Sequence, residues 1–220
     1  GMLDPTSAEL LDAIVAARLA FLISGGTGTG KTTLLAALIA RVPAEERVVV
    51  VEDASELRPD HPHLVALEGR PPNIEGAGAV DVRTLVRQAL RMRPDRLVVG
   101  EVRGAEGIDL LAALNTGHEG GCGTLHANSA LDVPARIEAL ALAGGLGRDA
   151  AHSQLASAVD VVLHLGRDRE GARRLRQVAV PTRGADGLVS MTSVLGIDGD
   201  GRARPGPAAT ALTERLRGGP

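Results

Sequence analysis

The stretch that decides the fold is LAFLISGGTGTGKTTLLAAL, residues 19–38. Its centre, residues 25–32, matches G-x-x-x-x-G-K-S/T, a loop whose backbone N–H groups surround phosphate oxygens. The apolar run at residues 19–23 predicts a buried parallel strand, and the leucines after the loop predict a helix. A strand, a glycine loop and a helix in this order point the helix N-terminus at one place. That arrangement favours a bound phosphate group.

Lys31 is the only lysine among 24 basic residues, and it occupies the one loop position where lysine and arginine differ in chemistry. Its compact ammonium fits between β- and γ-phosphate oxygens, whereas the planar arginine fork prefers bidentate partners. The predicted phosphate contacts are Gly25, Gly26, Thr27, Gly28, Thr29, Gly30 and Lys31. Thr32 is predicted to give its hydroxyl to Mg²⁺, and Thr33 is predicted to reach the α-phosphate.

Two acidic residues follow predicted strands of the same sheet. Glu101 comes after the apolar residues 97–99, one position later than the Asp of an ordinary Walker B segment, because Gly100 intervenes. Glu101 is predicted to polarise the attacking water or to hold Mg²⁺ through water. Glu52 follows the apolar residues 48–51, and the carboxyl ends of parallel strands share one edge, so both acids are expected to converge on the bound nucleotide and its Mg²⁺. The alternative for Glu101 is a solvated acid at a strand end, and the alternative for Glu52 is a polar loop that caps its strand.

Several histidines stand near predicted strand ends or turns and are candidate site residues. His126 follows the predicted strand at residues 121–125, where it could contact a γ-phosphate; a locally hydrogen-bonded histidine is the alternative. His118 is interpreted as a turn residue. His61 and His63 are interpreted as part of a loop, because no cysteine or second histidine pair accompanies them to complete a zinc site.

An arginine stripe recurs every four residues on a helix predicted over residues 81–91. It consists of Arg83, Arg87 and Arg91, with Arg93 just beyond. One interpretation is a solvated helix face. The other is that one or two of these arginines supply positive charge to a phosphate of the same or a neighbouring subunit.

Strands alternate with helical patterns along the chain, which predicts an α/β fold with a mainly parallel sheet. Further helices are predicted over residues 105–114, 131–143 and 148–158, and an edge strand over 64–67. Residues 159–165 and 175–180 predict an appended antiparallel hairpin. We predict one domain over residues 1–196, with a core at about 19–145 and the helices and hairpin at about 146–196. Residues 197–220 are predicted to form a tail, rich in Gly, Pro and Arg, with a last helix over 208–216.

The composition limits the partners. A formal net charge of −3 provides no basic surface for nucleic acid, so direct binding of nucleic acid is not expected. The single cysteine, Cys122, excludes an internal disulfide and is compatible with a reducing compartment. Residues 10–23 contain Asp12 and Arg18 and are too short to span a membrane, and the N-terminus lacks a signal peptide's basic region. We therefore predict a cytoplasmic protein without a transmembrane segment.

Taken in order, the motifs resemble the type II/IV secretion ATPases, and most closely the tight-adherence branch, TadA/CpaF-type. The resemblance covers roughly residues 5–195 and rests on residues 25–32, 51–57, 70–76, 90–104, 115–118 and 124–128. It implies a RecA-like P-loop core. It also implies that Glu52 belongs to an acidic "Asp box", Glu101 is the catalytic acid of an atypical Walker B, and His126 belongs to a "His box".

The same resemblance implies a function. It implies an enzyme that hydrolyses ATP with Mg²⁺ and acts as a homohexamer at the inner face of the cell membrane. There it would move membrane platform proteins in pilus assembly, secretion or conjugal transfer. Members of the family also carry an N-terminal domain that closes over the nucleotide. Because the phosphate loop begins within about thirty residues of the start, we expect that domain to be absent and the fragment to be weakly active.

Two other functions are compatible with a phosphate loop. A nucleic-acid motor of RecA-like fold is disfavoured by the net charge of −3 and by the lack of exposed stacking residues. A nucleotide-gated binding module, in which hydrolysis is incidental, is disfavoured by the expected convergence of Glu52, Glu101 and His126.

Overall fold

The computed structural model describes residues 2–198 and 202–218. Within these residues nine strands form one sheet: β1 Phe21–Gly25, β2 Val48–Glu52, β3 Leu64–Glu68, β4 Arg96–Val102, β5 Cys122–Leu125, β6 Val161–Arg167, β7 Arg173–Arg183, β8 Val189–Ile197 and β9 Ala203–Pro205. The helices in the same part of the chain are α1 Pro5–Ala16, α2 Lys31–Ile39, α3 Val82–Leu90, α4 Glu106–Leu114, α5 Val133–Ala143, α6 Arg148–Ala158 and α7 Ala209–Gly218, and a 3₁₀ turn, Ala130–Asp132, precedes α5.

The strand order is β3-β2-β4-β5-β1-β6-β7-β8-β9. The first six strands in that order are parallel, and the pairs from β6 to β9 are antiparallel. This confirms the predicted α/β fold and the predicted hairpin, which is formed by β6 and β7. Two further strands, β8 and β9, extend the hairpin and were not predicted. The order places β1, which leads into the phosphate loop, between β5 and β6.

Helices cover both faces of the parallel strands, which explains why β1 and β2 are apolar and buried throughout. One face packs against α3, α4, α5 and α6, and the other packs against α1, α2 and α7. Phe21, the chain's only aromatic residue, is 2% exposed in the second layer. The helices approach the sheet closely because the residues between them are small. A methyl group on Gly107 of α4 would lie only 2.7 Å from Val102 Cγ1.

Two helices, α1 and α3, begin at an aspartate whose side chain caps the first turn. The Asp81 carboxylate accepts a hydrogen bond from the Thr84 N–H at 2.7 Å, which confirms the predicted start of α3. Helix α1 was not predicted, because its residues were considered only as an apolar segment. Its signal was local: the Asp4 carboxylate accepts from the Ser7 N–H at 3.0 Å, and Pro5 occupies the first helical position.

The antiparallel strands are tied to the helical layer by His152 of α6. Its Nδ1 accepts a hydrogen bond from the Val189 N–H at 2.8 Å, and its Nε2 lies 3.0 Å from Glu138 Oε2. Because Nδ1 is an acceptor, the ring proton lies on Nε2 and is donated to Glu138. This hydrogen bond is the main cause of the lowered pKa of the Glu138 carboxyl.

The predicted last helix is confirmed as α7, which buries Leu212 beside Ala208 in the second layer. Residues 199–201 and 219–220 of the predicted tail lie outside the described residues. The division into a domain and a tail stays a prediction. In the described part of the chain, no helix has both the length and the apolar character needed to cross a membrane.

Candidate nucleotide site

The phosphate loop connects β1 to the first turn of α2. Gly30 is the N-cap of α2 with φ +96°, a left-handed conformation that favours glycine. An added methyl group would also lie 2.6 Å from Met2 Cε and 3.2 Å from Arg173 Cδ, so these two flexible side chains would have to move to admit it. The loop therefore presents its N–H groups at the N-terminus of α2, as the sequence predicts.

Lys31 spans the loop from the first turn of α2. Its Nζ donates to the carbonyl oxygens of Gly25 and Gly26, both at 3.0 Å, and the side chain is buried. Burial lowers the pKa of this ammonium group, and the negative charge of Glu101 opposes that effect. Thr29 Oγ1 donates to the Gly26 carbonyl at 2.9 Å and closes the loop further. The ammonium is thus held at the mouth of the loop, where a phosphate would enter.

A bulge in β4 accounts for the displaced acid. Between Val99 and Val102, β4 has two residues where the paired strand β5 has only Thr124. The two valines consequently face the same core layer although they are three positions apart. The Thr124 hydroxyl donates to the Gly100 carbonyl at 2.7 Å inside the bulge. A Walker B acid that comes one residue late in sequence is therefore still presented at the strand end.

Gly100 has a second reason to be glycine. A methyl group at this position would lie 2.6 Å from Glu52 Cγ and 3.1 Å from Glu52 Oε1. The Glu52 side chain thus fills the space next to Gly100. The two atypical features noted in the sequence, the glycine and the late acid, belong to one packing arrangement.

Glu101 has two different carboxylate oxygens. Oε2 accepts a hydrogen bond from Arg103 Nη2 at 2.5 Å. Oε1 lies 2.7 Å from His126 Nε2 without hydrogen-bond geometry, and this buried oxygen has no hydrogen-bond partner among the described residues. Burial raises the pKa of the carboxyl, but the hydrogen bond and charge of Arg103, together with smaller electrostatic contributions from His126 and Lys31, outweigh that effect, so the pKa is lowered overall. The carboxylate is ionised at neutral pH.

His126 lies between the acid and the lysine. Its Nε2 is 3.5 Å from Lys31 Nζ as well as 2.7 Å from Glu101 Oε1. A protonated Nε2 would face the carboxylate, and an unprotonated one would face the ammonium. The structure therefore brings together three predicted site residues, from the first turn of α2 and the ends of β4 and β5.

Glu52 is buried and lies at the end of β2. Its Oε1 accepts hydrogen bonds from the backbone N–H groups of Glu56 and Leu57, at 3.2 and 3.0 Å. One oxygen is thus used to hold the following loop. Glu52 also lines a cleft of about 400 Å³ together with Thr32 and Glu101.

The oxygen atoms along this cleft fit a magnesium ion that accompanies phosphates. Thr32 supplies a hydroxyl, and Glu52 and Glu101 supply carboxylates, the ligand types that Mg²⁺ prefers. Mg²⁺ is usually held by one or two side chains plus phosphate and water oxygens. Within residues 2–198 and 202–218, no group of three or more His, Cys, Asp or Glu residues could hold a metal by itself. The donor set therefore suits a metal that arrives with the nucleotide.

The predicted arginine stripe is divided into two paired arginines within α3 and two arginines beyond its C-terminal end. Arg83 and Arg87 both pair with Asp109 of α4, at 2.6 and 3.0 Å, and so tie the two helices together. Arg91, the C-cap of α3, and Arg93 lie beyond its C-terminal end, shortly before the start of β4. Five residues of strand, about 16 Å, separate that start from Glu101. We expect neither to reach a nucleotide bound by its own chain; contact with a neighbouring subunit stays a prediction.

The remaining histidines of the sequence analysis make local contacts. His118 Nδ1 lies 3.1 Å from the Ala113 carbonyl oxygen. His61 Nδ1 accepts from the His63 N–H at 3.2 Å, and His61 Nε2 lies 3.1 Å from the Pro43 carbonyl oxygen. These bonds support the interpretation of both regions as turns or loops.

Three residues of the site were missed. Arg103 holds Glu101, Thr124 holds the bulge, and Arg167 Nη2 donates to the Gly28 carbonyl of the phosphate loop at 2.9 Å. Arg103 stood two positions from a predicted catalytic acid, which was a usable signal. For Thr124 and Arg167, no nearby residue predicts the contacts with Gly100 and Gly28, because both contacts depend on strand pairing.

Comparison with known proteins identifies the family to which this sequence is similar. The family model for "Type II/IV secretion system protein" matches residues 1–191. A Mycobacterium tuberculosis protein named "Putative conjugal transfer protein" is 64% identical over 194 residues, which are 88% of this chain and 55% of that protein. The conjugal transfer protein TrbB of Rhizobium radiobacter is 34% identical over 180 residues, which are 80% of this chain and 53% of the relative.

Among solved structures, the VirB11 ATPase from the Brucella suis type IV secretion system, in complex with sulphate, has a TM-score of 0.69 at 30% identity. The match covers 82% of this chain and 57% of that chain. The chain spans about half the length of the curated relatives it matches. With a family match over most of its length and a RecA-like P-loop core, the chain belongs to the type II/IV secretion system protein family.

Proposed function

We propose that this chain is the ATP-hydrolysing motor domain of a secretion, pilus-assembly or conjugal-transfer machine. The observation that carries the proposal is Glu101 Oε1, a buried carboxylate oxygen without a hydrogen-bond partner among the described residues. Buried polar atoms in native structures almost always have a hydrogen-bond partner, so an oxygen whose close contact, to His126 Nε2 at 2.7 Å, lacks hydrogen-bond geometry marks a candidate functional site. His126 in turn lies 3.5 Å from Lys31 Nζ at the phosphate loop, so a water bound to this oxygen would stand near the terminal phosphate.

The residues divide the work of the proposed reaction. The loop N–H groups and Lys31 bind the phosphates, and Thr32 and the two acids supply oxygens for a metal. When bound, Mg²⁺ neutralises phosphate charge and orients the phosphate oxygens. Glu101, kept ionised by Arg103, accepts a hydrogen bond from the water and orients it for attack on the terminal phosphate. His126 is placed to contact that phosphate and to respond to its loss.

The proposed biological setting rests on the relatives. Two of them are named as conjugal transfer proteins, and the VirB11 structure is that of an ATPase from a type IV secretion system. A homohexamer, membrane platform partners, a place at the inner face of the membrane and the tight-adherence branch are carried over from the family resemblance. The exposed Arg91 and Arg93 are available to a neighbouring subunit in such a ring.

The experiment replaces Glu101 by glutamine, which keeps its shape and removes its charge. We expect ATP hydrolysis to fall about a hundredfold or more, while the Kd for ATP changes less than about threefold. Turnover and equilibrium binding are measured on the same preparation. The matched control is Glu119→Gln, the same change at an exposed site just before β5, at the opposite edge of the sheet; it should leave both quantities unaltered.

Unchanged turnover in Glu101→Gln, with ATP still bound, would remove this residue from the mechanism. Adding single- or double-stranded DNA to the unaltered protein should not change the rate. Stimulation by DNA would favour the nucleic-acid motor. Tight ATP binding without measurable hydrolysis in the unaltered protein would favour the binding module.

A further inference from the structure

The sheet order assigns the two ends of a bound triphosphate to different sides of β1. Glu101 and His126 lie at the ends of β4 and β5, so the terminal phosphate faces that side. The nucleoside is attached at the other end of the triphosphate and must extend the opposite way. The strands on that side are β6 and β7, spaced about 4.8 Å apart. The turn that joins them, residues 167–173, stands beside the phosphate loop.

We propose that this turn is the nucleoside-side wall of the site and that the Arg173 guanidinium stacks on the base of the bound nucleotide. The proposal rests on the function proposed above and adds to it how the base is held.

Arg167 fixes the turn against the loop. Its Nη2 donates to the Gly28 carbonyl at 2.9 Å, and its Nη1 donates to the Gly171 carbonyl within the turn at 2.7 Å. The two bonds use both ends of one rigid fork, which holds the turn and the loop at a defined separation. Arg167 is thereby engaged with backbone and serves as a positioning residue.

Arg173 is placed next to the loop but is not engaged. A methyl group built on Gly30 would lie 3.2 Å from Arg173 Cδ and 3.9 Å from its Nη1, so the side chain runs alongside the start of α2. The residue is exposed, and no carboxylate among the described residues lies within ion-pair distance of it. The next residue, Arg174, is by contrast paired with Asp168 at 3.0 Å. An exposed guanidinium without an ion pair among the described residues thus lies beside Gly30, at the start of α2.

The composition makes an arginine the available stacking group. The chain has no Trp or Tyr, and Phe21 is 2% exposed in the core. The guanidinium plane stacks on aromatic faces and on nucleic-acid bases. On the β6 side of the loop, Arg167 is engaged with backbone carbonyls, and Arg173 is a planar side chain that lies beside Gly30 without an ion pair among the described residues.

The test separates the base from the phosphates. Binding of ATP and of tripolyphosphate, both with Mg²⁺, is measured by calorimetry for the unaltered protein and for Arg173→Ala. We expect the Kd for ATP to rise about tenfold, the scale of one base-stacking contact, while the Kd for tripolyphosphate changes less than twofold. Arg173→Lys, which keeps the charge without the plane, should recover little of the loss.

The control is Arg169→Ala, which removes the same charge from the same turn at an exposed position without contact to the loop. It should change neither Kd, and thermal melting without ligand verifies that all variants fold. An unchanged Kd for ATP in Arg173→Ala would overturn the stacking contact. Equal weakening of ATP and tripolyphosphate would overturn it too, because the arginine would then act on phosphate. If the unaltered protein binds tripolyphosphate but not ATP, or neither, the proposed function fails as well.

Discussion

The two sides of β1 differ in how their roles are encoded. On the β4–β5 side the proposed functional groups are Glu101 and His126. Each follows an apolar strand, so each can be recognised from a short sequence motif. On the β6–β7 side they are arginines in a turn whose sequence resembles many other charged turns. Parallel strands bring their carboxyl ends to one edge wherever they pair. A turn reaches the site only if the strand register places it there.

The loop between the two sides should show the largest effect. Lys31→Ala removes the ammonium that bridges the Gly25 and Gly26 carbonyls, and with it the main positive charge for the phosphates. We expect the Kd for ATP to rise about a hundredfold or more. Equilibrium binding measures it. Lys31→Arg keeps the charge but not the compact shape, and should bind almost as poorly. Wild-type affinity in Lys31→Ala would contradict the assignment of the loop.

The β4–β5 side can be disturbed without changing a charged residue. In Gly100→Ala the new methyl group meets the Glu52 side chain at 2.6 Å, inside the bulge that presents Glu101. We expect turnover to fall at least about tenfold, because small displacements of catalytic groups are costly, with a loss of about 1–3 kcal/mol in the free energy of unfolding. The Kd for ATP should change little.

Gly196→Ala is the control for that change. Gly196 lies in β8, where an added methyl group meets no atom within 4 Å. Kinetics and chemical denaturation of both variants are compared. Wild-type turnover in Gly100→Ala would show that the packing of Glu52 against the bulge does not position the acid.

The β6–β7 side should show the smallest effect of the three. Arg167→Ala removes the bond to the Gly28 carbonyl and loosens the turn against the loop. We expect about a fivefold rise in the Kd for ATP with kcat nearly unchanged, since one charge-assisted hydrogen bond outside the reacting centre is lost. Arg183→Ala is the control: its Nε donates to Gly187 in the β7–β8 turn, away from the loop. A fall in kcat with an unchanged Kd would contradict a role confined to binding.

The elements that could be predicted from the sequence are those encoded by residues close together in the chain. Strand β2, helix α3 with its Asp81 cap, and the β6–β7 hairpin were all predicted, because period, capping and turn chemistry are local. Helix α1 had a local start signal at Asp4 and Pro5 that was overlooked. Strands β8 and β9 carry weaker patterns. Strand β8 is stabilised by pairing with β7 and by the His152 bond to Val189, and β9 by pairing with β8; no nearby residue predicts these contacts.

The candidate site shows the same division. Lys31, Glu52, Glu101 and His126 were selected from the sequence, and the structure brings them to one sheet edge; their roles stay predictions. The bulge opposite Thr124 could not be predicted, since a bulge is a property of two paired strands. The sequence did not predict which residues the arginines of α3 would contact. In the structure, Arg83 and Arg87 form ion pairs with Asp109.

By itself the sequence determined a phosphate loop, a parallel α/β sheet and a set of acids at strand ends, because each follows from residues adjacent along the chain. Only the tertiary structure decided three features. The bulge in β4 brings Glu101 to the strand end although it comes one residue late, Gly100 leaves space for the Glu52 side chain, and the β6–β7 turn contacts the phosphate loop. Those features depend on register and on the space between side chains from different strands. The register and this space are fixed only when the strands pair, so neither can be predicted from a single segment of the sequence.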